Sequence, residues 1–97
     1  MIPARVRVLS SYVDVKFVDR VPDVDGDAYA AYDEKTATIN MVKGMSNPVM
    51  QDTLLHEIIH AILQAYEMDS EKLVRILTPA LLGVVKDNPE LVLFLQG

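Results

Sequence analysis

The residues of this chain best suited to do chemistry are five in a row, His56-Glu57-Ile58-Ile59-His60. They read H-E-x-x-H and lie inside Thr53-Leu54-Leu55-His56-Glu57-Ile58-Ile59-His60-Ala61-Ile62-Leu63. On an α-helix, residues four apart stand one above the other on the same face. His56 and His60 can therefore aim two imidazoles at one point roughly 2 Å from each ring nitrogen, the bond length of a zinc ion. Glu57 projects beside the pair, where it can reach a water on the metal without being a ligand. That division of roles is the one used in metal-assisted hydrolysis. These are also the only two histidines in the chain.

The surroundings sharpen the motif. From Val49 to Tyr66 nearly every residue outside it is apolar. The pattern predicts a helix that is apolar nearly all round and therefore buried. His56, Glu57, His60 and Gln64 form its one polar stripe, with Asp52 before it and Glu67 after. Buried ionisable groups are costly unless paired or bound to a metal, and a metal would settle that cost. The competing explanation is two core histidines satisfied by hydrogen bonds beside a paired carboxylate. It leaves the combined spacing of both histidines and the glutamate to chance.

Catalytic zinc sites use three protein ligands and keep one position open. With no cysteine and no third histidine, the third ligand must be Asp or Glu. If the helix ran on, Glu67 would lie roughly 10 Å along the axis from His60, too far to share a metal. Glu67-Met68-Asp69-Ser70 reads as a turn that brings the chain back, and Asp69 or Ser70 can cap a new helix. Glu71, in the first turn of that helix, is the expected ligand, with Asp69 and then Glu67 as alternatives. Glu71 could also serve only to complement the helix dipole.

Composition limits what else the chain can be. Its 97 residues suit one domain spanning 1–97, and 51% hydrophobic content is ample for a compact core. A net charge of -5 with scattered basic residues argues against nucleic-acid binding, which needs a basic stripe. The absence of cysteine excludes disulfides and thiolate metal sites. Met1 to Arg7 has no signal-peptide apolar core, and Pro79 and charges interrupt the apolar C-terminal half. The expectation is a soluble cytoplasmic protein that does not enter a membrane.

The elements that must position the motif follow from periodicity. Arg5 to Leu9 and Tyr12 to Val18 alternate with period two and read as strands, one short and one longer. Asp19 to Asp27 reads as loop, with Pro22 and Asp25-Gly26 as turn residues. Asp23, Asp25 and Asp27 resemble the start of a calcium loop. They lack its closing glutamate and flanking helices, so an acidic loop is the better reading. Ala28 to Tyr32 and Thr36 to Met41 form a hairpin across Asp33-Glu34-Lys35. Ser46 or Asn47 caps the motif helix and Pro48 suits its first turn. From Glu71 the apolar spacing is helical, with a kink or short break expected at Pro79. Asn88-Pro89-Glu90 opens a last short helix, Leu91 to Leu95, apolar enough to pack on the core or on a neighbouring subunit. The fold class expected is α+β: a small antiparallel or mixed sheet of 3–4 strands, packed on a buried motif helix and followed by C-terminal helices.

Strands, a Leu-Leu-His-Glu-x-x-His-Ala helix, an acidic turn and further helices together resemble the minimal zincins. More narrowly, the chain is similar to small phage-encoded metallopeptidase-like proteins and to the ImmA/IrrE class of gluzincins. Thr53 to Ala61 carries the resemblance most specifically; Ser70-Glu71 and Asn88-Pro89-Glu90-Leu91 echo it more softly. The resemblance implies that His56 and His60 bind Zn2+, that Glu57 is the general base, and that a downstream glutamate, here Glu71, is the third ligand. It implies a peptide or protein substrate aligned along the sheet edge, and phage origin. The His60-to-Glu71 spacing is shorter than in the larger gluzincins. Tyr29 or Tyr32 is a candidate for oxyanion stabilisation. The rival reading is a non-catalytic zinc-binding structural or regulatory module, in which Glu57 has no task.

Overall fold

The computed structural model describes residues 2–24 and 26–97. Among the described residues, six strands precede three helices: β1 (Arg5–Val8), β2 (Ser11–Val18), β3 (Val21–Asp23), β4 (Gly26–Ala28), β5 (Ala30–Asp33), β6 (Thr38–Val42), α1 (Asn47–Ala65), α2 (Glu71–Asp87) and α3 (Pro89–Gln96). The fold is α+β, and its main sheet is mixed, in the order β1-β2-β6-β5.

β1 and β2 form a tight hairpin whose last pair is Val8 with Ser11. Leu9 and Ser10 connect them with φ of 50° and 69°. A two-residue hairpin turn needs left-handed backbone at both positions, normally supplied by Asn-Gly, and here ordinary side chains occupy it. β2 then pairs in parallel with β6, from Asp14 against Thr38 to Val18 against Val42. β6 lies between β2 and β5, so its Ile39 and Met41 are fully buried. β5 pairs with β6 antiparallel and leaves its other side as the sheet edge.

The stretch expected to be an acidic loop contains a small hairpin instead. β3 and β4 pair from Val21 with Ala28 to Asp23 with Gly26. Gly26, at φ 121°, takes a backbone conformation that side chains disfavour. Arg20 Nε donates to Asp27 Oδ1 at 2.6 Å and Val24 N–H to Asp23 Oδ1 at 2.8 Å. Asp23 and Asp27 thus serve the hairpin; Asp25, the third aspartate of the calcium-like string, lies outside the described residues.

α1 begins after Ser46, which stands at the capping position without a side-chain bond, and Pro48 lies in the first turn. Ala61 joins Val8, Val13, Val15, Ile39 and Met41 in the core, and Met50, Leu54, Ile58 and Ile62 pack against that cluster. The helix is not buried all round, as its composition suggested. Its buried residues are Thr53, Glu57, Ile59 and Ala61, and most of the others are half-buried. α2 lies along α1 and buries Val74 and Thr78.

α2 runs through Pro79 without the short break that was one of the two expectations there. The ring removes the hydrogen bond to the Arg75 carbonyl. Arg75 and Pro79 are both exposed, so water can take its place. Nor does the C-terminal tail return to the core: α3 has no buried residue and contacts α2. No helix among the described residues is long and apolar enough to cross a membrane.

Candidate metal centre

The helical register of α1 puts His56 and His60 side by side, with ring centroids 5.0 Å apart and planes inclined by 57°. Ligand atoms of His56, Glu57 and His60 lie within 4.8 Å of one another, a group that could hold a metal ion. What joins α2 to them is set by the end of α1. Glu67 adopts φ 56°. Its N–H donates to the Gln64 carbonyl at 3.0 Å, and that of Met68 to Leu63 at 2.9 Å. This is the Schellman closure, with a glutamate in the position usually held by glycine. It reverses the chain sharply, and Ser70 Oγ then caps α2 by accepting from Leu73 N–H at 3.3 Å.

The reversal carries two carboxylates to the histidines. Glu71 Oε1 lies 3.1 Å from His56 Nε2 and Glu71 Oε2 lies 2.8 Å from His60 Nε2. Asp69 Oδ1 lies 2.7 Å from His60 Nδ1, on the opposite side of that ring. Glu67, the third candidate, is exposed at the helix end and serves the turn. Sequence reasoning treated Asp69 and Glu71 as rivals for one role. The structure gives them different places: Glu71 faces the ring nitrogens that converge, and Asp69 the nitrogen that points away.

These positions fit a divalent cation. Ligand atoms at zinc bond lengths in a tetrahedral sphere are separated by roughly 3.3 Å; the His–Glu71 separations of 3.1 and 2.8 Å are shorter, at hydrogen-bond length, and would open slightly around the ion. The charge balance points the same way. A neutral imidazole has one N–H, yet the His60 ring meets a carboxylate at each nitrogen. One of those contacts needs a cation, either a second proton or a metal. Burial alone would lower the His60 pKa, but the Asp69 hydrogen bond and the charges of Glu57, Asp69 and Glu71 outweigh it and raise it. Glu71 is pulled below the usual carboxylate range: burial opposes this, and His56, His60 and Arg75 prevail.

Glu57 sits apart from this hydrogen-bonded set. It is 8% exposed, and burial raises its pKa despite the neighbouring histidines. It lines a cleft of about 580 Å³ together with His56, His60, Glu71 and Arg75. The cleft wall opposite α1 comes from Asp23, Ala28, Tyr29 and Ala30. A smaller hollow of about 240 Å³ continues along β5 past Ala31 and Tyr32 to Gln64 and Asp69. Tyr29 is exposed beside the cleft, whereas Tyr32 packs against the core. Sequence reasoning missed Arg75, whose Nε donates to Glu71 Oε1 at 3.2 Å. Its position four residues after Glu71 was the available signal.

No protein-family model, curated protein or solved structure matches this chain, so its function rests on the geometry of this cluster.

Proposed function

We propose that the chain is a zinc-dependent metallopeptidase of the minimal zincin type, with His56, His60 and Glu71 as ligands and Glu57 as general base. The observation that carries the proposal is the separation of roles among the carboxylates. Glu71 faces both Nε2 atoms, Asp69 holds His60 from behind, and Glu57 is left unengaged at the cleft. With Glu71 as the third ligand, a purely structural metal site would leave Glu57 without a task.

Zinc held there would supply Lewis acidity and bring a water's pKa toward neutrality. Glu57 takes the proton of the attacking water and returns it to the leaving amine. Its place in the cleft beside both histidines suits a group that must accept a proton and then donate it. Asp69 keeps the His60 ring oriented. The open edge of β5, with Tyr29 and Ala30 at the cleft, offers main-chain groups along which an extended peptide aligns by strand addition.

The test is metal analysis joined to proteolysis. Wild type should carry one zinc per chain and cleave unstructured peptides; Glu57→Gln should keep the metal and lose cleavage. Protein purified without chelator that holds no zinc removes the proposal. Zinc retention with equal activity in Glu57→Gln removes the base, and zinc without cleavage of any peptide leaves a structural metal site.

A further inference from the structure

α3 is apolar around most of its circumference, Leu91-Val92-Leu93-Phe94-Leu95, yet it buries no residue. Leu93, Phe94 and Leu95 are 68%, 78% and 71% exposed. The patch continues onto α2 through Ile76, Leu81, Val84 and Val85, all exposed. A helix apolar on nearly every side is a helix made to be covered, and within this chain α3 meets little besides α2.

We propose that a second copy of the chain covers this face, the α2–α3 pair of one protomer packing on that of its partner about a two-fold axis. The area is sufficient. Nine large apolar residues of α2 and α3 are between 39% and 78% exposed. At roughly 150–200 Å² for each when fully exposed, they present on the order of 800 Å². A stable interface buries about 800 Å² on each partner, so covering most of the patch reaches the size of a specific dimer. Single monomers rarely leave a patch of this size open.

Charge favours a like partner over a lipid surface. The chain carries -5, but beyond Arg75 the α2–α3 pair holds only Lys86 against Asp87 and Glu90. Two such faces meet with little net repulsion, and a two-fold arrangement lets acid face base. Lys86 is the only basic residue after Arg75, so the basic cluster that holds interfacial helices on anionic lipid is missing. The α3 end of the patch lies away from the metal centre, since Val85 is roughly 21 Å along α2 from Glu71. Dimerisation and metal binding are read separately, as mass and as zinc content.

Light scattering of the zinc-loaded chain from about 1 to 200 μM tests this. The expected mass is twice 10.8 kDa at the upper concentrations. The double variant L93E/F94E should halve it while keeping the wild-type circular dichroism and zinc content, because both side chains are exposed and anchor nothing in the protomer. Amide exchange over residues 91–96 in the unaltered protein should slow as concentration rises, a readout that needs no variant. A monomer throughout, or a dimer that persists in L93E/F94E, overturns the proposal. So does a mass of one chain at every concentration together with co-sedimentation on phosphatidylcholine vesicles.

Discussion

Cutting Asp69 back to alanine tests the role that separates it from Glu71. Its carboxylate meets His60 Nδ1 at 2.7 Å, with the two side chains 32% and 16% exposed. A contact that short between a carboxylate and an imidazole N–H is a charge-assisted hydrogen bond. Removing such a partner from a metal-bound histidine costs about 10–100-fold in metal affinity, or about 1.4–2.8 kcal/mol. Asp69 is a third exposed, and solvent screening puts the expected loss near the lower end, about tenfold. Asp69→Asn keeps an oxygen that can accept from Nδ1 and should lose less. Glu71→Ala removes the proposed third ligand and should lose more than either. Zinc affinity is read by competition with a chromophoric chelator at pH 7, with circular dichroism checking the fold. An Asp69→Ala protein that binds zinc as wild type does refutes the orienting role. One that falls as far as Glu71→Ala makes Asp69 a ligand instead.

Glu57→Gln should bind zinc within about twofold of wild type and lose peptidase activity by about 10²–10⁴, the usual worth of a general base, measured as kcat/KM on a fluorogenic peptide. Glu67→Gly should raise stability by about 1 kcal/mol, because glycine relieves a left-handed residue at the helix end, and leave zinc affinity unchanged; weakened zinc binding would make Glu67 a ligand. Replacing Leu9-Ser10 by Asn-Gly should stabilise by about 1–2 kcal/mol, seen as a higher Tm, since both positions need positive φ. In metal-free protein the raised His60 pKa has a definite sign. The protonated ring is favoured by folding, so its contribution is complete below the unfolded pKa of about 6.5 and is lost as pH rises through the folded value. Urea unfolding should therefore give lower stability at pH 8 than at pH 6, and His60→Ala should diminish the difference.

The local elements were legible where one residue's pattern decides its own backbone. Alternation marked β1, β2 and β6 to within a few residues, the strand read over Ala28 to Tyr32 divides between the end of β4 and β5, and Ser70 and Asn88-Pro89 marked the starts of α2 and α3. The β1–β2 turn was not legible as a tight one, because Leu9 and Ser10 adopt a conformation their side chains disfavour and only the pairing of the flanking strands holds them there. The β3–β4 hairpin was hidden for a related reason: three-residue strands containing Pro22 and Gly26 carry too little periodicity to register.

By itself the sequence determined that two imidazoles would share a helix face with a glutamate beside them, because four residues make about one helical turn whatever surrounds them. It also determined that any further ligand must be a carboxylate, since the chain contains no cysteine and no other histidine. Tertiary structure alone decided which carboxylate stands where. That depends on the reversal after α1, on the left-handed backbone of Glu67 and on the capping of α2 by Ser70, which turn a few residues' difference in position into opposite sides of the His60 ring. It likewise decided that β2 and β6 run parallel and leave β5 as the edge beside the cleft, and that α3 is left uncovered by the rest of its own chain. Strand partners and helix contacts are distant in sequence, and their choice rests on how faces of several elements fit together, which no local pattern encodes.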